Sequence, residues 1–371
     1  MVSHSSTALL PEHGGQLRAI AARFSIPESR LLDFSASIFP DGPSPRVLEA
    51  LADALCDLER LRAYPDLESH ELRAKLASYA GVSVHNVLVA HGMVPLLAAT
   101  LRAIEARKCM LPVPAFGEYR RILHREGVIP ETYRLKDETN FQPDLKQLVM
   151  HSAERGCDAL ILTNPHNPTG ATLRSDEVHV LVQLAETYGI RVLLDEAFID
   201  FVPEESFSMH VLEANHLIVF RSVTKFFAMA GLRAAYMLAP QHLVVGISRL
   251  LDPWSVSTLA SIAAIAAVED TTYIASTVAR NQSEREVLRA ALSALGLNVY
   301  PSRANFLLCR LAHAQRNQDV WERLILDHGI VVRNCATFED LDETYFRIAV
   351  RGRDDNERLI GALDAVLNCP A

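Results

Sequence analysis

From residue 87 to residue 238 the chain alternates between two textures. Short apolar runs at 87–90, 109–113, 158–163, 191–194, 217–220 and 234–238 read as buried strands. Between them, apolar residues recur every three or four positions, predicting helices over about 95–106, 119–125, 144–155 and from 175 to near Gly189. Ser175, Asp176 and Glu177 would give the last of these an N-cap oxygen and acids in its first turn. Strands and helices in this alternation predict an α/β unit: a mostly parallel sheet with helices on both faces.

The flanks read differently. Residues 1–12 resemble an arm, Gly14 and Gly15 allow a turn, and 16–24 has helical spacing. A short extended piece at 31–38 and helices at 43–58 and 71–80 follow, with Tyr64-Pro65-Asp66 interrupting the pattern. Past residue 250, an alanine-rich run at 257–268 leads into a long helix over 271–295. Widely spaced strands at 297–311, 330–334 and 345–350, a helix around Trp321 and a closing helix over 354–367 suit a smaller α+β domain. The expected organisation is 1–42 as arm and part of the small domain, 43–260 as the large domain and 261–371 as the small C-terminal domain.

Composition narrows the partners. The chain has 371 residues, 49% hydrophobic and 22% charged, enough for a large core. Its net charge is −9 with no basic block, which argues against nucleic acid and anionic membrane surfaces. Small anions stay open, because local arginines decide that. None of the six cysteines forms a C-x-x-C pair, and four lie in or beside apolar runs. Buried thiols in a reducing, cytoplasmic compartment are expected, with no metal. The N-terminus lacks a charged segment before an apolar core, so it does not read as a signal peptide. The most apolar run, 257–268, is too short to span a bilayer.

The candidate chemistry lies at 221–233. Lys225 follows an apolar strand and sits among hydroxyls, and such a turn suits a lysine that condenses with an aldehyde cofactor. Ser222, Thr224 and Arg233 supply two hydroxyls and a guanidinium fork for a phosphate. Upstream, an Asn-Pro-His-Asn-Pro-Thr-Gly turn begins at Asn164, and Asp195 ends another strand. In this order the three elements resemble the fold-type I family of pyridoxal-phosphate enzymes, and the likeness runs from His13-Gly14-Gly15 through Leu32–Ala36, Tyr64-Pro65-Asp66, Asp195–Phe201, Gly231-Leu232-Arg233, Pro253–Val256 and Arg303-Ala304-Asn305. Within it, the chain resembles the decarboxylases that act on threonine phosphate in cobalamin synthesis, and it is also similar to histidinol-phosphate aminotransferases.

That resemblance implies a fold-type I transferase architecture, with a mostly parallel seven-stranded sheet in the large domain, and a homodimer with shared active sites. Pyridoxal 5'-phosphate would be held by Lys225. Asp195 would face its ring nitrogen, Asn167 its phenolic oxygen and Phe116 its ring face. Its phosphate would meet Gly92, Met93, Val94, Ser222, Thr224 and Arg233, with Tyr64 reaching across the dimer. A small phosphorylated amino acid would be bound by Arg347 at its carboxylate, by Arg333, Arg351 and His13 at its phosphate, and by Gly14, Ser35 and Asn167. Three stretches depart from the family pattern. Phe198 replaces a common tyrosine, 91–95 lacks the usual polar side chains, and Phe39 stands where relatives are polar, which predicts a more apolar pocket over the substrate.

Overall fold

The computed structural model describes residues 11–174, 177–311 and 317–368. The first ten residues of the expected arm, and the N-cap read at Ser175 and Asp176, lie outside them. The strands are β1 Leu32–Phe34, β2 Val87–Ala90, β3 Lys108–Val113, β4 Ile129–Arg134, β5 Ala159–Thr163, β6 Arg191–Asp195, β7 Leu217–Ser222, β8 Ala235–Leu238, β9 Asn298–Val299, β10 Phe306–Arg310, β11 Ile330–Asn334 and β12 Tyr345–Ala349.

Seven of them form one sheet in the order β2-β8-β7-β6-β5-β3-β4, all parallel except β8, which runs against both neighbours. Because side chains alternate along a strand, the central strands feed two cores. Leu160, Leu162, Leu194 and Val219 face one, while Ile161, Leu193, Ile218 and Phe220 face the other. This is the α/β sheet that the alternation predicts. The pattern missed β4, and for a physical reason. It is an edge strand with a proline, Pro130, and intermediate burial, so it carries no continuous apolar run.

The second sheet has the order β1-β11-β12-β10-β9, with β1 parallel to β11 and the other pairs antiparallel. Residues 32–34 therefore join strands from the far end of the chain. Phe34, Trp321, Phe346 and Leu359 pack beneath this sheet. The single strand expected over 297–311 is two strands with a loop between them. The loop bends back toward the Asn-Pro turn: the Arg303 amide donates to Gly170 O at 2.8 Å. Gly170 has φ +79°, and a Cβ there would lie 2.0 Å from Ser302 Oγ, so only glycine allows this approach.

Two long helices link the halves. Thr258–Glu269, capped by Ser257, packs on Pro45–Cys56 and His70–Ala80. Thr271–Ala294, capped by Asp270, places buried Arg285 so that its Nη1 donates to Arg303 O at 3.1 Å. No described helix is long and apolar enough to cross a membrane.

Candidate active site

The parallel strands bring the chemistry to one edge. Thr163 ends β5 beside Asp195 at the end of β6, and Lys225 lies three residues past the end of β7. This is the carboxyl edge where open α/β sheets collect ligand-binding groups. Asp195 is buried, with Oδ1 accepting from the Ala197 amide at 2.8 Å and Oδ2 accepting from the Tyr119 hydroxyl. Burial pushes its carboxyl up, against the Tyr119 and Ala197 hydrogen bonds and the charge of Lys225. Burial also pulls the Lys225 amine down to about 8, helped by Arg347 and Arg233 and opposed by Asp195.

A phosphate cradle lies beside them. Gly92, at φ +92°, leads the helix Met93–Ala103, and a Cβ there would come 2.9 Å from an Arg233 nitrogen. Among the described residues Arg233 makes no ion pair, and its hydrogen bond goes to Ala230 O at 3.2 Å. Buried Ser222 Oγ and Thr224 Oγ1 lie 2.6 Å apart. A guanidinium fork without a carboxylate, two hydroxyls and a glycine-led helix N-terminus form a donor set that fits a phosphate. Together with a half-buried lysine and a buried acid, it fits pyridoxal 5'-phosphate.

The substrate-side residues converge from the small sheet. Arg333 on β11 is paired directly with Arg347 on β12. Arg347 Nη1 donates to Asn167 Oδ1 at 2.5 Å and Nη2 to Ser35 O at 3.2 Å, while its buried Nε has no hydrogen-bond partner among the described residues. Its guanidinium lies over the Phe306 ring at 4.9 Å, and Phe306 meets Phe198 edge-on at 5.0 Å. Arg333 donates to Pro11 O at 2.5 Å, to Glu12 O, and to Thr337 Oγ1 at 2.7 Å. Next along that segment, His13 Nε2 lies 2.9 Å from Glu118 Oε1, and its ring is 5.8 Å from that of half-buried Phe116. Gly14 is pressed on the site, since a Cβ there would sit 2.1 Å from Ser35 O. The Gly15 amide then donates to Ser35 Oγ at 2.9 Å.

Two further expected residues have contacts of their own. Tyr64 is 80% exposed and its ring contact is with Trp254, at 4.9 Å. Arg351 makes an ion pair with Asp355 at 2.9 Å and a hydrogen bond to Asp33 O at 3.1 Å. The apolar pocket wall expected from Phe39 is corrected. That side chain is 6% exposed and packs in the large core, edge-on to Tyr273, so its bulk is spent there.

Sequence reasoning missed Tyr119, Thr163 and His166. His166 Nε2 lies 2.9 Å from Pro114 O and can only donate there, so Nδ1 accepts from Thr169 Oγ1, also at 2.9 Å. Burial pulls this imidazole down to about 4, and it stays neutral as a strut between the Asn-Pro turn and the loop before Phe116. Its place inside that turn was a usable signal. For Tyr119 no local signal existed.

Comparison with known proteins identifies the family and the fold. The family described as aminotransferase class I and II matches residues 29–363. The threonine-phosphate decarboxylase of Salmonella typhimurium is 34% identical over 358 residues, covering 96% of each chain. The crystal structure of the histidinol-phosphate aminotransferase from Clostridium acetobutylicum superposes with a TM-score of 0.83 at 27% identity, over 91% of this chain and 99% of that one. A histidinol-phosphate aminotransferase from Sinorhizobium meliloti, solved with pyridoxal-5'-phosphate, shares the fold at a TM-score of 0.84 and 21% identity, over 99% of this chain and 98% of that one.

Proposed function

The chain belongs to the aminotransferase class I and II family of pyridoxal-phosphate enzymes, and on that premise we propose that it decarboxylates L-threonine O-3-phosphate to (R)-1-amino-2-propanol O-2-phosphate, a step of cobalamin biosynthesis. The observation that carries the reading is the direct pairing of Arg333 with Arg347 beside Lys225. Two adjacent guanidinium forks suit a small substrate with two anionic groups, a carboxylate and a phosphate. The curated relative at 34% identity is named for that activity.

The cofactor supplies, when bound, an electron-accepting ring for the pair released from the broken Cα–carboxylate bond. Lys225 holds it, and an amine with a pKa of about 8 has the neutral fraction that a nucleophile needs near neutral pH. Asp195 would hold a negative charge for the ring nitrogen, and Asn167, its Oδ1 pinned by Arg347, would offer its side-chain amide to the phenolic oxygen. Phe116 packs on the ring. Arg233, Ser222, Thr224 and the amides at Met93 and Val94 would take the cofactor phosphate, with Gly92 leaving the space for it. Arg347 orients the substrate carboxylate, and Arg333 with His13 takes its phosphate. Lys225 Nζ, displaced by the substrate's ammonium group and left protonated by it, would deliver the proton that replaces carbon dioxide on Cα. Arg351, already paired with Asp355, holds the Asp33–Ser35 turn that supports Arg347. Two chains assemble, and exposed Tyr64 serves the partner's cofactor phosphate.

The competing reading is an aminotransferase of histidinol-phosphate type, favoured by the 27% identical structural relative. Incubating the purified protein with threonine phosphate and measuring carbon dioxide, against glutamate formed from histidinol phosphate and 2-oxoglutarate, separates them. Carbon dioxide without amino transfer is expected. Glutamate without carbon dioxide overturns the proposal.

A further inference from the structure

Asp195 is served by a residue 76 positions away in sequence, and nothing in the cofactor-binding scheme above uses it. Tyr119 lies in the first turn of the helix Gly117–Arg125, with its side chain turned under the sheet and 1% exposed. Its hydroxyl donates to Asp195 Oδ2 and lies 3.1 Å from Thr163 Oγ1. We propose that Tyr119, backed by Thr163, is a positioning residue that fixes the Asp195 carboxylate and keeps it ionised for the ring nitrogen of the cofactor. The inference rests on the reading of Asp195 given above.

The hydrogen-bond directions follow from the donor inventory. A phenol has one proton, and the carboxylate can only accept it. The Tyr119 oxygen is then left to accept, so the Thr163 hydroxyl donates to it. The result is a one-way chain from Thr163 through Tyr119 to Asp195. Burial and the negative charge of Asp195 hold the phenol well above its usual range, so it remains a donor at working pH.

The two carboxylate oxygens are pinned by different elements. Oδ1 takes the Ala197 amide from the turn after β6, and Oδ2 takes Tyr119 from a separate helix. Rotation of the carboxylate would break both bonds, while each oxygen keeps a lone pair for a cationic N–H. The chain also answers an energetic problem. A carboxylate in this dry site tends to take up a proton, and a neutral acid could not stabilise a positive ring nitrogen. Among the influences opposing burial, the Tyr119 hydrogen bond is the largest, ahead of the Ala197 amide and the Lys225 charge. The ring of Tyr119 also meets Phe116 edge-on at 5.6 Å, so one side chain sets both the acid and the residue proposed to pack on the ring.

The test titrates full-length, cofactor-stripped protein with pyridoxal 5'-phosphate from pH 5 to 9, following bound cofactor by its fluorescence. Variants are Tyr119→Phe, Thr163→Val, Thr163→Ser and Asp195→Asn, with thermal melts of each unloaded protein alongside. Losing the phenol raises the Asp195 pKa further, so affinity fails at a higher pH as the solution is acidified. For Tyr119→Phe the acid limb is expected to move up by about one pH unit or more, the size of a hydrogen bond to a charged group. Thr163→Val moves it the same way by less, and Thr163→Ser restores it. A purely structural role would change the melt and leave the limb in place. An unmoved acid limb in Tyr119→Phe, with affinity lost in Asp195→Asn, overturns this inference and leaves the reading of Asp195 standing. Wild-type affinity and pH profile in Asp195→Asn overturn that reading, and the inference with it. If Tyr119→Phe does not fold, 3-fluorotyrosine at position 119 keeps the packing and strengthens the donor. It should move the limb down, and no movement overturns the inference.

Discussion

Arg347→Met separates two effects of one charge. The guanidinium is buried, donates to Asn167 Oδ1 at 2.5 Å and to Ser35 O at 3.2 Å, and lies over Phe306. Burial lowers its pKa to about 10, so it is still a cation throughout the range in which Lys225 titrates. After burial, that cation is the largest influence lowering Lys225 to about 8. At pH 7 an amine of that pKa is about one-tenth neutral. Methionine fills much of the same space without charge, so Lys225 should titrate higher and its neutral fraction at pH 7 should fall. The assay is the stopped-flow rate of cofactor uptake by stripped protein as a function of pH. The wild-type rate should rise through an inflection near pH 8, and the variant's inflection should lie higher. Independently, a substrate carboxylate loses a bidentate partner. At about 1.5–3 kcal/mol per charged hydrogen bond, kcat/KM for threonine phosphate should fall roughly 10²- to 10⁴-fold. An inflection that stays put or moves down refutes the electrostatic link. A fall of less than about threefold refutes the carboxylate assignment.

Asp200→Ala should cost about 3–5 kcal/mol in urea unfolding, because Arg221 is 5% exposed and would keep its charge without its carboxylate partner. Glu196→Gln tests the sign of a buried acid. Burial raises Glu196 from 4.5 to about 7, so the folded state binds the extra proton between those values. Its contribution to stability is complete below the lower value and is lost as pH rises through the upper one. The variant should therefore gain on wild type above pH 7, by up to about 3 kcal/mol, and lose that advantage near pH 5, as read from melting temperatures at the two pH values. Mixed dimers of Tyr64→Phe and Lys225→Ala chains should contain one site carrying both defects and one carrying neither. Full activity from a monomer would contradict the shared site.

What could be read from the sequence depended on where the physical signal resides. The strand β2 is found at the positions its apolar run marks, because a strand buried on both faces needs such a run. Its direction is not written there. The apolar run of β8 does not differ from those of its neighbours, yet it runs against them. Lys225, Asp195 and Asn167 could be named as candidates because each lies at or just beyond a strand end, in a turn with its own composition. Tyr119 was not. Its meeting with Asp195 requires β3, β5 and β6 to be adjacent, and only the sheet order supplies that. Phe39 was misread because an aromatic beside a binding stretch can face either the pocket or the core. The core offered Tyr273.

The arginines on and around the small sheet differ in how their charges are met, and the difference bears on which of them an anion would find. Arg351 has Asp355 and Arg303 has Glu204, so an incoming phosphate would have to compete with a carboxylate. Arg333 and Arg347 make no ion pair among the described residues, although they face each other across β11 and β12. Their donors are met by the oxygens of Pro11, Glu12, Ser35, Asn167 and Thr337, which are dipoles and not anions. Neutral acceptors relieve the hydrogen-bonding need of a buried guanidinium and leave its charge in place. Two positive charges side by side repel each other, and a ligand with two negative groups would remove that repulsion on binding. Removing the phosphate from the substrate should therefore cost far more than removing a methyl, which in a fitted pocket is worth roughly 1–3 kcal/mol. The measured order of kcat/KM should place threonine phosphate modestly above serine phosphate and both far above the free amino acids. Arg333→Ala should collapse that gap, and free threonine turning over as well as its phosphate would remove Arg333 from the anion site.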